Sequence, residues 1–487
     1  MAKNAGPGAD SPPAPEESSN GKSVVDLADA RLRLNSRSRP SHPSNKNLLE
    51  ELDEVRSLLD QGLSAEARLR IASLINNARN NPSILALARC ALSTALEMQG
   101  QYRESLAAVA MYESPESRTK LDQQSIQNLK VQIGLAYNHN GDHPKAISIL
   151  KGALRETSES DAEQNNGPVY AALARVYRNI SEYPIARDYA QRALEHFRQT
   201  GEWRGLAEAY FGIALADVQE GDCEACLENL QQALKLIGDH PASYTLGRIY
   251  ANMAGACWFL KRPQEGIRYL EKAILYYERT DHKGSAANGY NNLGLNLILI
   301  GQWSRAQEAL ERALALTTEA DESAEKVPMI LDSLGELLML RGELDEAKDY
   351  LVRAVALATT DGNKWYACQA LRTLARCYLA MEDHTKVLVK GAEALTLAES
   401  IGDRQAISES RLILAEAHLR NGEPDKCSAQ LDKLTGETTE STTDLSLAGE
   451  SHRLFGMLAM VQSDFSSAAQ HFGSSVSIFD MLGDRYR

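Results

Sequence analysis

The stretch "YNNLGLNLILIGQW", residues 290–303, joins a leucine-rich helical pattern to a glycine turn and a following aromatic residue. Leucine favours helix, whereas asparagine is a poor residue for a helix interior because its amide competes for backbone hydrogen bonds. Asn291 and Asn292 therefore need a reason beyond helix formation, and that reason depends on the surface on which they lie.

The turn residue of this stretch has a counterpart in each of eleven successive segments of the chain. The counterparts are Gly62, Gly100, Gly141, Ser181, Gly221, Lys261, Gly301, Gly342, Glu382, Gly422 and Ser463. Successive members lie 38 to 41 residues apart. A period this regular is the sequence signature of a solenoid of stacked units.

Most units also carry small residues at helical spacing on both sides of the turn. Gly294 and Gly335 stand seven residues before a turn residue, and Ala313 and Ala354 stand twelve residues after one. Small side chains allow two helices to approach closely, so the pattern predicts a pair of packed helices in every unit.

The pattern resembles the tetratricopeptide repeat: leucine-glycine in the first helix ("NLGLNL", "SLGELL"), a turn glycine, an aromatic residue soon after it, and alanines in the second helix. The resemblance covers residues 47–482 and implies an all-α, right-handed superhelical solenoid of about eleven antiparallel helix pairs. Lys261, Glu382 and Ser463 depart from glycine at the turn. Arrays of this longer period are similar to those of the LGN adaptor, kinesin light chain and bacterial Rap-type regulators.

The two ends of the chain differ from the array. Residues 1–46 are rich in Pro, Ser, Asn and Gly and are predicted to form a disordered tail, because they bury too little apolar surface to offset chain entropy. Residues 483–487 match the opening of an earlier unit and are interpreted as the start of a further repeat. We therefore expect a fragment of a longer protein, whose uncapped end leaves Phe472, Val476 and Phe479 partly uncovered and favours self-association.

Composition excludes several classes of function. The formal net charge is -14, which is a poor match to phosphate backbones and argues against nucleic-acid binding by this segment. The sequence has neither a signal peptide nor a membrane-length apolar run, so we predict a cytoplasmic protein with no membrane partner. Its seven cysteines are expected to be reduced and buried.

Two short motifs resemble chemical sites, but a chance match accounts better for the first and core packing for the second. "NGKS", residues 20–23, lacks the first glycine of a phosphate-binding loop because Glu16 stands there. Cys223 and Cys226 form a C-x-x-C motif without a second pair, and Cys226 occupies a position that alanine fills in sister units. No linked nucleophile, base and orienting group is recognisable, so we predict no catalysis, no cofactor and no metal.

The resemblance places the first helices on the concave face and implies that asparagines before leucine-glycine contact the backbone of a bound peptide. Asn252 and Asn292 match that position most closely. The predicted partner-binding residues are Asn252, Asn292, Asn291, Arg248, Trp258, Arg175, Arg178, Arg372 and Arg376. An amide both donates and accepts hydrogen bonds, and arginine pairs with carboxylates. The alternative is that these amides bond locally and bind nothing.

These observations predict a scaffold that recognises an extended segment of a partner protein or peptide on its concave face. One alternative is the ligand-sensing arm of a larger bacterial transcriptional or signalling regulator. Another is a substrate-presenting accessory region of an enzyme. A catalytic or DNA-binding domain beyond residue 487 would separate these alternatives from a free adaptor.

Overall fold

The computed structural model describes residues 45–157, 166–280, 282–318, 326–437 and 445–482. Within these ranges the chain forms 22 α-helices and one short 3₁₀ helix, with no β-strand. The predicted all-α solenoid of eleven helix pairs is confirmed. The first helix begins at Asn45, two residues before the predicted start of the array. The rest of the predicted tail, and residues 483–487, lie outside the described residues.

The helices form eleven successive units, in which an odd-numbered first helix precedes an even-numbered second helix. Units 1 to 4 contain α1 Asn45–Asp60, α2 Ser64–Asn77, α3 Pro82–Met98, α4 Tyr102–Ala110, α5 Gln123–His139, α6 His143–Thr157, α7 Gly167–Asn179 and α8 Tyr183–Thr200. Units 5 to 8 contain α9 Trp203–Gln219, α10 Cys223–Ile237, α11 Ser243–Phe259, α12 Pro263–Tyr277, α13 Lys283–Leu299, α14 Trp303–Thr318, α15 Val327–Arg341 and α16 Leu344–Thr360. Units 9 to 11 contain α17 Lys364–Ala380, α18 His384–Ile401, α19 Arg404–Arg420, α20 Pro424–Glu437, α21 Leu445–Val461 and α22 Phe465–Leu482.

The turn between the two helices of a unit has the same backbone conformation throughout the array. All eleven predicted turn residues are left-handed, with φ between 55° and 85°. The residue after the turn donates its N–H to a carbonyl five residues back, as Gln302 does to Leu297 at 2.9 Å. Glycine adopts this conformation readily, whereas the four other turn residues carry a steric penalty of about 1–2 kcal/mol.

The small residues before each turn allow the two helices of a unit to pack closely. A Cβ atom added at Gly294 would lie 2.6 Å from Leu310 Cγ, and one added at Gly335 would lie 2.5 Å from Leu351 Cγ. Both leucines are fully buried on the second helix of the unit. The predicted close approach is therefore present, and a larger side chain at either glycine would displace a core leucine.

The two sets of helices occupy different sides of the solenoid. First helices of successive units contact one another, as α15 contacts α17 and α17 contacts α19, while second helices pack chiefly on their own and the following first helix. Elements on the inside of a curved array lie closer together than those on its outside. The first helices therefore line the concave face.

The last unit differs in part from the expectation of an uncovered end. Phe479 is only 5% exposed and packs on α21, where a Cβ added at Gly449 would lie 2.8 Å from its ring, so the prediction that Phe479 is uncovered is wrong. Phe472 is half-buried against Gly456, and Val476 is exposed. The two helices of the unit cover each other's apolar residues more completely than the sequence pattern implies.

None of the described helices combines the length and the apolar character that a bilayer crossing requires.

Candidate functional site

A pocket of about 420 Å³ lies on the concave face between first helices of units 6 to 9. Helices α11, α13, α15 and α17 all contribute to it, so four repeats share one cavity. Its principal polar and aromatic lining residues are Trp258, Phe259, Asn291, Asn292, Trp365 and Gln369. We call this cavity the amide–aromatic pocket.

Asn291 is a buried polar residue of this pocket whose whole amide group lacks partners among the described residues, whereas Asn296 lacks a partner only at its Oδ1. The Asn291 side chain is only 1% exposed, and neither its Oδ1 nor its Nδ2 has a hydrogen-bond partner in the described part of the chain. Leaving a buried amide unpaired costs about 1–3 kcal/mol, and buried polar groups in proteins are normally paired. Because Asn291 lines the cavity, a polar group entering it can supply the missing hydrogen bonds.

Three aromatic side chains of the pocket are open to solvent. Trp258 is 36% exposed, Trp365 51% and Phe259 62%. Trp258 and Phe259 end α11, whereas Trp365 lies in the first turn of α17. Exposed aromatic side chains gathered around one cavity are typical of the energetically dominant part of a protein interface.

The structure separates the two asparagines that the sequence treats as equivalent. Asn292 lines the pocket, whereas the Nδ2 of Asn252 donates to the carbonyl of Arg248 at 2.8 Å, one turn back along α11. For Asn252 this bond is the local pairing that stands as the alternative to peptide binding. The pocket therefore brings together Asn291 and Asn292 and leaves Asn252 outside its lining.

A second polar feature lies on the concave face of units 4 to 6. It consists of Arg175, Arg178 and Arg248, and we call it the arginine cluster. Glu208 on α9 accepts a hydrogen bond from Arg175 at 2.6 Å and lies 3.8 Å from the guanidinium of Arg248. Arg178 forms no ion pair within the described part of the chain. Two guanidinium groups thus contact one carboxylate, and Arg178 lines the same small cavity as that carboxylate.

Burial and mutual repulsion set the electrostatics of this region. Burial lowers the pKa of Arg178 to about 10, and the charges of Arg175 and Arg248 act in the same direction. Burial also lowers the pKa of His139 to about 4 and raises the pKa of Glu97 to about 7. At neutral pH His139 is uncharged, so the cluster carries an excess of positive charge in a chain of net charge -14. The charge of this surface is of the sign that pairs with an anion.

Arg372 and Arg376 are already paired within the chain. Both donate to the carboxylate of Glu409 on α19, Arg376 at 3.1 Å. Arg376 and Glu409 line a second cavity of about 450 Å³, which shares Trp258 with the amide–aromatic pocket. A partner carboxylate would have to compete with Glu409 for these two arginines. At Arg178 it would meet no such competing ion pair within the described residues.

Asp332 adds a buried carboxylate beside the pocket. One oxygen accepts from Gln369 Nε2 at 3.0 Å, whereas its Oδ1 has no hydrogen-bond partner among the described residues. Burial raises the pKa of Asp332 to about 6, and the neighbouring charge of Glu336 acts in the same direction. This side of the pocket therefore favours a hydrogen-bond donor.

The lining residues that sequence reasoning missed include Met329, Trp365, Gln369 and Asn296. Met329 and Gln369 stand six residues before the small residue of their first helix, as Arg248 does in its own unit. Had every residue at the position of Arg248 been counted as facing the concave side, Met329 and Gln369 would have been predicted. Trp365 lies a further turn towards the start of its helix, and a tryptophan near a helix start carries no signal of its own.

The C-x-x-C cysteines belong to the core. Cys223 and Cys226 are both buried, and burial raises the pKa of both thiols, that of Cys226 to about 12. Thiols of this kind stay protonated at neutral pH and act as small apolar groups. Within the described ranges, no group of three or more His, Cys, Asp or Glu side chains is placed to hold a metal ion.

Comparison with solved structures gives the same architecture. The apo form of RapI is similar over 74% of this chain and 99% of its own, with a TM-score of 0.58 and 12% identity. A Rap protein complexed with competence and sporulation factor is similar over 75% of this chain and 100% of its own, with a TM-score of 0.54 and 14% identity. The apo form of the quorum sensor NprR from B. thuringiensis is similar over 72% of this chain and 99% of its own, with a TM-score of 0.52 and 15% identity. At these identities the similarity establishes the fold.

The helix pairs, the concave pocket and these structures define an α-helical repeat scaffold. The family model described as tetratricopeptide repeat matches residues 125–199 and 245–319, which fall in units 3 to 4 and 6 to 7. Residues 125–199 and 245–319 are therefore tetratricopeptide repeats, and the other described units have the same helix-pair architecture. No curated protein is significantly similar to it in sequence.

Proposed function

We propose that this protein binds an extended segment of a partner polypeptide along its concave face and places an apolar side chain of that segment in the amide–aromatic pocket. The observation that carries the proposal is Asn291, a buried amide without hydrogen-bond partners among the described residues, at a cavity lined by solvent-exposed tryptophans. A peptide backbone offers both an N–H and a C=O group, which are the groups that an amide pairs with.

The individual residues would take different parts in this recognition. Asn291 and Asn292 would hydrogen-bond the backbone of the segment, and Trp258 and Trp365 would enclose its apolar side chain. The arginine cluster would receive an acidic group, mainly through Arg178. Arg372, Arg376 and Asn252 would contribute less, because each already bonds within the chain.

Two observations support binding rather than catalysis: the similar structures and the lining of the pocket. One similar structure is a Rap protein complexed with competence and sporulation factor, and another is a quorum sensor. The lining of the pocket consists of amides, aromatic rings, apolar groups and the hydroxyl of Ser333, which donates to the carbonyl of Met329 and not to a base. We therefore propose a non-enzymatic scaffold that recognises its partner without changing it chemically.

The test is capture of the partner followed by mapping of the bound segment. The tagged protein is incubated with lysate of its native host, the captured protein is identified, and overlapping synthetic peptides of it are titrated by fluorescence polarisation. We expect one short peptide to bind, and Asn291→Leu to weaken it about tenfold or more. Asn252→Ala serves as the matched control, because Asn252 bonds to its own helix. Equal binding by Asn291→Leu, or binding of no peptide, would refute the proposal.

A further inference from the structure

The first repeat contacts repeats that are distant in the chain. At the end of α1, the carboxylate of Asp60 lies 2.6 Å from the guanidinium of Arg204 at the start of α9, in unit 5. The adjoining turn residue Gly62 lies against Tyr244 of α11 and Thr280, which follows α12. We call these five residues the closing contact. After about five repeats the superhelix has thus returned to touch its own beginning.

Gly62 has a second role that other turn glycines lack. A Cβ atom added to it would lie 2.6 Å from Thr280 Cγ2 and 3.0 Å from Tyr244 Cβ. A Cβ atom added at Gly100 or Gly141, which have the same left-handed conformation, would meet nothing within 4 Å. The missing side chain at Gly62 therefore serves the contact between distant repeats as well as its turn.

Solvent is partly excluded where unit 1 meets unit 5, at the two ends of the first superhelical turn. Burial raises the pKa of Asp60, although the nearby charge of Arg204 opposes that shift. The two side chains meet at 2.6 Å and are 32% (Asp60) and 53% (Arg204) exposed, so this is a short, partly shielded ion pair. The contact therefore closes the axial gap between successive turns of the superhelix at this point.

The arginine cluster lies on the inner surface of the closed turn. Arg175, Arg178 and Arg248 belong to the first helices of units 4 and 6, and the first helices face the superhelix axis. Arg248 shares α11 with Trp258, ten residues away, so the two sites are about 15 Å apart along one helix. An extended segment covers that distance with about five residues.

We propose, building on the proposed function, that the closing contact makes the first turn of the superhelix a tube that admits a chain end and excludes a folded loop. The partner then binds through a terminal segment: its apolar side chain occupies the amide–aromatic pocket, and an acidic group about five residues away enters the tube and meets the arginine cluster at Arg248. A free carboxyl terminus and an acidic terminal side chain both provide that chemistry.

The test measures access to the tube and needs no partner. A cysteine is introduced as Arg178→Cys and, on the exposed outer helix α18, as Val389→Cys for reference. Each variant is reacted with maleimide at the end of a linear polyethylene glycol, and with maleimide fixed to the surface of a small folded protein. We expect the linear reagent to label both positions, and the folded carrier to label Arg178→Cys about tenfold more slowly than Val389→Cys. The unsubstituted chain gives the background of its seven native cysteines.

Two further variants assign the barrier to the closing contact. Arg204→Glu places two carboxylates together and should speed the reaction of the folded carrier with Arg178→Cys, and Asp60→Arg added to it should restore the slow reaction. Gly62→Ala should speed the reaction as well, whereas Gly100→Ala carries the same turn strain without the collision and should not.

Equal labelling of Arg178→Cys and Val389→Cys by the folded carrier would overturn the proposal, and so would an unchanged rate in both Arg204→Glu and Gly62→Ala. Because no partner is used, these outcomes are independent of whether the chain binds a peptide. If the tube is confirmed and the peptide mapping fails, the proposed function is wrong while the gating inference about chain ends remains.

Discussion

Asn291 and Asp332 occupy equivalent positions in neighbouring repeats, each ten residues before its turn residue, and each keeps a buried side-chain atom without a hydrogen-bond partner in the described ranges. Asn291 is 1% exposed and Asp332 is 4% exposed. Two consecutive units thus carry unpaired polar atoms at one position of the first helix. Such atoms lower the stability of the free protein, which is expected where a surface is prepared for a partner.

Replacing Asn291 by leucine should stabilise the free protein while weakening its binding. Removal of the unpaired amide is expected to raise the free energy of unfolding by about 1 kcal/mol. Thermal unfolding followed by circular dichroism measures the change. Asn252→Leu is the control, because it breaks the bond to the Arg248 carbonyl and should be destabilising. A lower melting temperature for Asn291→Leu than for Asn252→Leu would contradict the assignment.

Asp332 should make stability depend on pH. Its folded-state pKa of about 6 lies above the ordinary value of 3.8, so the folded protein holds a proton that the unfolded chain releases. That contribution is fully present below the unfolded pKa and is lost as pH rises through about 6. Relative to Asp332→Asn, the wild type should lose roughly 2 kcal/mol between pH ~4 and ~7. Urea titrations at several pH values test this, and a constant difference between the two proteins would show that Asp332 is ionised normally.

Arg175 and Arg178 stand one turn apart on α7 and should respond differently to neutralisation. Arg175→Gln removes the donor 2.6 Å from Glu208 and is expected to destabilise the fold by about 1 kcal/mol, given the partial exposure of the pair. Arg178→Gln removes a charge without an ion-pair partner among the described residues and should be neutral or stabilising. Chemical denaturation of both variants gives the comparison. The reverse order of stabilities would mean that Arg178 has a partner in solution.

The turn residue Glu382 offers a test of backbone strain. It has φ of 59° and a side chain at the surface of the turn. Glu382→Gly should raise stability by about 0.5–1 kcal/mol, because relief of the left-handed penalty exceeds the entropy that glycine adds to the unfolded chain. Glu382→Ala keeps the strained geometry and should gain nothing. If alanine stabilises as much as glycine, the effect comes from the side chain and not from φ.

The repeat architecture could be predicted from the sequence because its determinants are local. A left-handed turn selects glycine, and a close helix contact selects a small residue such as Gly294, so both recur with the period of the array. Even Lys261 and Glu382 could be placed, because the flanking turns fixed the period around them. The burial of Phe479 could not be predicted from the sequence, because it depends on how α22 packs against Gly449 of α21.

The candidate site could be predicted only in part. The inward positions of Asn291, Asn292 and Trp258 follow from helix periodicity, and all three line the pocket. The pairing of Arg372 with Glu409 depends on the spacing between α17 and α19, which the curvature of the superhelix sets and one repeat does not encode. The contact of Asp60 with Arg204 is more distant still, since it requires the pitch of a whole turn.

The closing contact also determines how the array responds to tension. A solenoid whose units touch mainly their neighbours extends like a coil spring when its ends are pulled, before any helix unfolds. Asp60 and Arg204 bridge one complete coil of that spring. Force applied to the bridged coil therefore loads the ion pair of Asp60 with Arg204 and the packing of Gly62 on Tyr244 and Thr280. These short-range contacts must break before the coil lengthens, so the bridged coil resists up to a threshold force, whereas an unbridged coil extends gradually.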